Sequence, residues 1–176
     1  MMKSVLISIR PEWAEMIVSR KKTIELRKNR PNLETPFRCY IYCTKRKSKD
    51  IWGEVYGGFV IGEFTCDRII SMSASYKSIE RAEKGFSFYE GTRLTDKQII
   101  DYLGNGTIGY GWHISKLKVY DKPKILSMFY KECAGLDNTG MCWECEKAVG
   151  EECDCAVNGR LHITRPPQSW CYVEEA

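Results

Sequence analysis

The chain has 176 residues with a formal net charge of +4 at pH 7, and hydrophobic and charged residues make up 43% and 28% of it. This composition is typical of a globular protein and excludes low-complexity and collagen-like chains. No internal repeat, signal peptide or apolar stretch of roughly 20 residues is visible, so we expect a cytoplasmic protein without membrane association.

Positive charge is concentrated at the N-terminal end of the chain. Residues 1–50 carry 13 Lys or Arg against 5 Asp or Glu, whereas residues 51–176 carry 14 against 18. A segment of that sign attracts phosphate groups. The alternative is a solvated basic face that has no partner.

The periodicity of apolar residues predicts an α+β fold in one domain, residues 1–176. Strands are predicted at residues 5–9, 23–27, 38–44, 59–72, 108–119, 125–130 and 170–173. Helices are predicted after Pro11, at 75–84, and after Thr95, where Gln98 completes a capping box and Gly104 ends the helix. Six or seven strands with two or three short helices favour a sheet curled into a mixed β-barrel, and residues 131–168 form a Cys-rich C-terminal excursion from it.

A charged cluster is predicted at the second strand. Glu25 and Arg27 are two residues apart on a strand, so they leave the same face, and Lys22 joins them only if it lies in the preceding turn. Two donors and one acceptor can hold a phosphate or the polar edge of a base. The alternative is an ion-pair network that closes the rim of the barrel.

The stretch from Ser19 to Arg27, SRKKTIELR, resembles the signature of ASCH domains, which are similar in fold to PUA domains. In that signature a lysine is followed by Glu and Arg, here Lys22, Glu25 and Arg27, and Arg20 stands where the family usually has glycine. Further segments look like ASCH proteins of bacteria and their phages, namely SIRP at 8–11, GEF at 62–64, GYGW at 109–112 and RPPQSWCYV at 165–173.

The resemblance implies a basic pocket that binds RNA or a modified nucleotide. Lys22, Glu25 and Arg27 are the expected ligand-binding residues. Aromatic residues near the pocket would stack on bases, and we predict Trp112 in this role and Trp13 in packing between helix and core.

The resemblance also offers an enzymatic alternative, because some ASCH proteins are small amidohydrolases of acylated cytidine and others are reported to cut RNA. An amidohydrolase would use Lys22 and Glu90, yet Glu25 stands where those enzymes carry a nucleophilic threonine. A third alternative is an adaptor whose acidic excursion docks a protein partner.

The excursion holds two close cysteine pairs, Cys142 with Cys145 and Cys153 with Cys155, separated by seven residues. Four thiolates could close a tetrahedral structural zinc site, with Cys133 or His162 as substitute ligands. Free thiols on a loop are the alternative. The other four cysteines, at 39, 43, 66 and 171, alternate with apolar residues and are expected in the core.

If the two cysteine pairs hold zinc, we expect the purified protein to contain about one equivalent of metal. A chelator should then loosen residues 131–168 and leave the rest folded, since the sheet has its own core. Metal analysis and protease sensitivity before and after chelation measure both effects. Protein prepared under reducing conditions with no zinc would contradict the prediction.

Overall fold

The fold is built on a sheet whose central strands are buried on both faces. The computed structural model describes residues 3–45, 56–74, 79–81, 88–131 and 162–175. The elements are β1 (Ser4–Ile9), α1 (Pro11–Val18), β2 (Ile24–Arg27), β3 (Phe37–Cys43), β4 (Val60–Ala74), β5 (Ile79–Arg81), α2 (Phe88–Thr92), α3 (Asp96–Leu103), β6 (Ile108–Lys124), a 3-10 helix (Leu126–Met128), β7 (Phe129–Tyr130) and β8 (Trp170–Glu175).

Seven of the described strands follow the order β2-β6-β4-β3-β1-β8-β7, and β5 pairs only with β4. β1 and β3 are parallel, whereas the other pairs are antiparallel. Within the described residues the two end strands of this order are not paired with each other. The sheet is therefore open there, and the predicted mixed β-barrel is not shown.

The sheet nevertheless curves strongly. A guanidinium nitrogen of Arg27 in β2 donates a hydrogen bond of 2.7 Å to the carbonyl oxygen of Ser8 in β1. Three strands separate β2 from β1 in the sheet order, and in a flat sheet the two would lie about 19 Å apart. One side chain cannot bridge that distance, so the sheet must bend back on itself.

Within the described part of the chain, three buried clusters hold the sheet and helices together. One includes Ile7 of β1, Ile17 of α1 and Trp112 of β6. A second packs Ile24 of β2 against Ile99 of α3. The third covers the other face of β1, β3 and β4 with residues of β7, β8 and the segment before β8. Each fully buried apolar side chain stabilises the fold by about 1.5–3 kcal/mol.

The two longer helices begin where the sequence predicts. Pro11 occupies the first turn of α1, and Ala14 and Ile17 form its buried side. In α3 the Thr95 hydroxyl accepts a hydrogen bond from the backbone nitrogen of Gln98, and the Gln98 side chain accepts one from the backbone nitrogen of Thr95. The predicted capping box is therefore confirmed.

Two local predictions are wrong. In place of a helix at 75–84, residues Ile79–Arg81 form β5, because they pair with the end of β4 and so satisfy their backbone groups in a ladder. In place of a strand at 125–130, a 3-10 helix precedes the two-residue β7, and Ile125 is 53% exposed. The cysteine-rich part of the predicted excursion, residues 132–161, lies outside the described residues.

Gly62 allows β4 and β6 to approach closely. The pairing of β4 with β6 shifts register between Val60 and Gly62, as a bulge does. A Cβ atom on Gly62 would lie 2.5 Å from the carbonyl oxygen of Lys118 and 3.2 Å from the Cα atom of Val119. The obstacle is backbone, which cannot rotate away as a side chain can.

We therefore expect Gly62→Ala to destabilise the protein by about 1–3 kcal/mol. Gly109→Ala is the matched control, because its Cβ atom would meet the side chain of Leu103, which can change rotamer. Urea denaturation of both variants tests the difference. A smaller loss for Gly62→Ala than for Gly109→Ala would contradict this account.

Candidate functional site

A cavity of about 830 Å3 lies beside β2. Its walls come from the end of β1 and the start of α1, the turn before β2, β2 itself, α3 with the residue Leu94 before it, Thr44, and residues 166–169. These parts are distant in sequence, so the cavity exists only once the sheet has curved.

Lys22, Glu25 and Arg27 meet at one wall of this cavity. The Lys22 amine lies 3.4 Å from one carboxylate oxygen of Glu25, and an Arg27 nitrogen lies 3.0 Å from the other. All three residues are buried, at 2%, 7% and 7% exposure respectively. The structure thus brings together the three charged residues that the sequence predicts, with Lys22 in the turn before β2 as expected.

Arg27 links the charged cluster to both ends of the chain. Besides its bond to the carbonyl oxygen of Ser8, its guanidinium donates to the Ser169 hydroxyl at 3.5 Å. Ser8 and Ser169 are themselves neighbours, because the Ser8 amide donates to the Ser169 carbonyl oxygen at 2.9 Å. The Arg27 side chain is therefore held rigidly, with its charge directed to the cavity wall.

Lys22 is the most deeply buried member of the cluster. Its amine donates a 2.7 Å hydrogen bond to the carbonyl oxygen of Thr92 and lies 5.4 Å from the centre of the Trp13 ring. Burial lowers the pKa of Lys22, although the nearby carboxylate of Glu25 opposes this effect. An amine in this position attracts any anion that enters the cavity, since the anion would restore part of the lost solvation.

The cluster carries more positive than negative charge, because one carboxylate faces two cations. Arg10 and Lys28 also line the cavity and are exposed. Asp101 lines it too, but its carboxylate is paired with Lys97 at 2.6 Å. The cavity is therefore electropositive, and its chemistry suits an anionic ligand that also offers a hydrogen-bond donor to Glu25.

Trp112 does not lie at the cavity as predicted, whereas Trp13 packs between helix and core as predicted and also borders the cavity. Trp112 is fully buried, packs against Phe37 and Trp170, and does not line the cavity. Trp13 lines the cavity and also packs against the core. Trp112 is the cross-strand partner of Glu25 in β6, so it lies beside the cluster in the core. Of the tryptophans that the structure describes, Trp13 is the one that lines the cavity.

Glu90, the second residue of the enzymatic alternative, does not join the site. It is exposed in α2 and is not among the residues that line the cavity. The neighbouring Thr92 contacts Lys22 through its backbone oxygen, while its hydroxyl accepts from the backbone nitrogen of Leu94. Lys22 therefore lines the cavity and Glu90 does not, and a catalytic role for the two residues stays a prediction.

Four residues of the site were missed by the sequence reasoning. Ser8, Ser169 and Thr92 hold the charged cluster in place, and Trp13 shares the cavity wall with it. Ser8 and Ser169 lie within the segments that resemble ASCH proteins, which was the available signal. Nothing in the sequence marks the backbone oxygen of Thr92.

The predicted zinc ligands, Cys142, Cys145, Cys153 and Cys155, lie outside the described residues, and the zinc site stays a prediction. Among the residues that are described, no group of three or more metal-binding side chains is placed to hold an ion. His162 contacts the backbone oxygen of Ser127.

The four cysteines expected in the core are free thiols, three of them buried and Cys171 partly so. None of the described helices is both long and apolar enough to cross a membrane. The cytoplasmic location stays a prediction.

Solved ASCH structures share this fold. ASCH from Zymomonas mobilis aligns with a TM-score of 0.57 at 19% identity, over 97% of this chain and 87% of that one. A serine-to-alanine mutant of the same protein gives 0.58 at 17% identity, over 97% and 88%. No curated protein matches the chain. The family model of the ASCH domain matches residues 7–149, so the chain belongs to the ASCH domain family.

The charge balance of the cluster predicts effects of different size on stability for two substitutions that keep the shape of the side chain. Glu25→Gln leaves Lys22 and Arg27 buried without a counter-charge and should destabilise the protein by about 3–5 kcal/mol at neutral pH. Lys22→Met keeps the Glu25–Arg27 pair and should change stability by about 1 kcal/mol or less. Urea denaturation measures both.

The Glu25→Gln loss should shrink as the pH rises towards the ordinary pKa of lysine, because Lys22, whose pKa is already lowered, can then lose its proton. Equal losses for the two variants at neutral pH would contradict the proposed charge balance.

Proposed function

We propose that this protein binds RNA, or a modified nucleotide, in the cavity beside β2. The observation that carries the proposal is the excess positive charge of Lys22, Glu25 and Arg27, buried at the cavity wall. Buried cations without a matching number of carboxylates cost stability unless an anion compensates them. A phosphate group is such an anion.

The size and lining of the cavity support a nucleotide as the ligand. Its volume of about 830 Å3 lies within the range of roughly 300–1,000 Å3 that small-ligand sites show. Trp13 and Tyr102 on its walls provide aromatic faces for a base. Glu25 is the acceptor that a base amino group requires, while Arg27 and Lys22 donate to oxygen atoms.

Membership in the ASCH family supports the same proposal, since these domains resemble the PUA domains in fold. The basic N-terminal segment agrees with it as well, because residues 10–28 supply the cations that line the cavity, Arg10, Lys22, Arg27 and Lys28. Hydrolysis of acylated cytidine is less well supported, because Glu90 is not at the cavity and a carboxylate occupies the position of the nucleophile.

We expect a short labelled single-stranded RNA to bind with an affinity that falls steeply between about 50 and 200 mM salt, as phosphate contacts require. Lys22→Met should weaken binding on the order of tenfold or more, because it removes a charged donor from the cavity. Fluorescence anisotropy measures the affinity, and circular dichroism verifies that the variant is folded.

Lys122→Ala is the matched control, since it removes an exposed positive charge that does not line the cavity. Failure of the parent protein to bind RNA at low salt would contradict the proposal. A folded Lys22→Met variant that binds RNA as tightly as the parent would contradict it as well. Equal affinity for single-stranded DNA of the same sequence would mean that the ligand is single-stranded nucleic acid in general rather than RNA.

A further inference from the structure

The turn before β2 is fastened to the last residues of α2 and to Arg93, the residue that follows this helix. Three hydrogen bonds join them, from the Arg93 side chain to the Lys21 carbonyl oxygen at 2.7 Å, from the Lys22 amine to the Thr92 carbonyl oxygen at 2.7 Å, and from the Thr23 amide to the Gly91 carbonyl oxygen at 2.9 Å. Successive residues of one segment thus bond to successive residues of the other. The position of the turn beside the cavity is fixed.

Two arginines in these segments have a backbone conformation that favours glycine. Arg20 has φ of 59° and Arg93 has φ of 57°, in the left-handed region where a side chain is disfavoured. Both are exposed. Glycine would adopt this conformation at lower cost. The backbone of the turn therefore gives no reason for an arginine side chain at either position.

The side chain of Arg93 has a role within the fold, because its Nε atom donates a hydrogen bond to the Lys21 carbonyl oxygen. Arg20 has none, since its side chain makes no hydrogen bond or ion pair with the described part of the chain. Only its backbone amide is bonded, to the carbonyl oxygen of Ile17. The Arg20 guanidinium therefore contributes no described contact to the stability of the turn.

The location of these side chains indicates a partner. Arg20, Lys21 and Arg93, which we call the basic turn, are exposed cations next in sequence to Lys22, which lines the cavity, and to Thr92, which accepts a hydrogen bond from it. A strand of RNA carries a phosphate at each nucleotide, so the nucleotides flanking one in the cavity present phosphates at its edge. Arginine binds phosphate oxygens with two parallel donors.

We propose that the basic turn binds the phosphodiester backbone of the RNA strand on one side of the nucleotide that occupies the cavity. This inference rests on the proposed function and extends it. The ligand is then an oligonucleotide rather than a free nucleotide, and Arg20 is a binding residue that the charged cluster does not include.

Arg20→Gly gives a test in which stability and binding respond in opposite directions. The variant should melt at the same temperature as the parent or up to about 4 °C higher, because glycine relieves the left-handed strain. Its affinity for single-stranded RNA should fall on the order of threefold to tenfold, and the salt slope by about 0.7, the loss of one phosphate contact. Arg20→Lys, which keeps the charge, should recover most of the affinity.

Lys122→Ala is again the control for general charge. Lys122 lies eight residues beyond Ile114, the β6 residue whose amide bonds to Thr23, or about 26 Å along the strand. The Lys122→Ala substitution should leave the affinity for RNA and the salt slope nearly unchanged.

The outcomes separate this inference from the proposed function. If Lys22→Met weakens RNA binding and Arg20→Gly does not, the cavity binds RNA and the basic turn does not contact it. If Arg20→Gly and Lys122→Ala weaken binding equally, the effect is one of total charge and the inference is wrong. A mononucleotide that binds as tightly as the oligonucleotide, with Arg20→Gly affecting neither, overturns the inference alone. Absence of RNA binding by the parent overturns both proposals.

Discussion

The guanidinium of Arg27 lies where the second strand of the chain meets the first. It donates to the carbonyl oxygen of Ser8, pairs with Glu25 and reaches Ser169 near the C-terminal end of the chain. Strand pairing alone does not join β2 to β1, because three strands separate them in the sheet order. Here the Arg27 side chain joins β2 to β1, whereas backbone hydrogen bonds join the strands that are neighbours in the sheet. The cavity follows from that bend.

This use of charge explains why the members of the cluster are unequal. Glu25 is required once Arg27 is buried, because an unpaired guanidinium in the interior would be strongly unfavourable. Lys22 adds a second cation to a pair that is already neutral, and its carbonyl and aromatic neighbours, Thr92 and Trp13, compensate it only in part. Arg27 and Glu25 thus maintain the shape of the cavity, whereas the charge of Lys22 remains for a ligand.

Much of the fold could be predicted because the evidence for it is local. The alternation at 23–27 places Glu25 and Arg27 on one face, and the hydroxyl and amide of Thr95 and Gln98 fix the start of α3. That Trp13 rather than Trp112 borders the cavity could not be predicted in the same way. Both lie on faces with apolar residues, and periodicity gives the face of an element but not which part of it borders an open space. The strand at Ile79–Arg81 likewise depends on pairing with β4, a long-range contact that no local pattern contains.

The basic composition of the N-terminal segment becomes a spatial asymmetry because of chain order. The consecutive segment from β1 to β2 lines part of the cavity. It therefore brings four cations to the cavity, Arg10, Lys22, Arg27 and Lys28. The acid-rich remainder contributes α3 to the lining, and the carboxylate of Asp101 in this helix is already paired. Charge that is nearly balanced over the whole chain is therefore unbalanced at the cavity, and an anionic ligand would respond to that local imbalance rather than to the net charge.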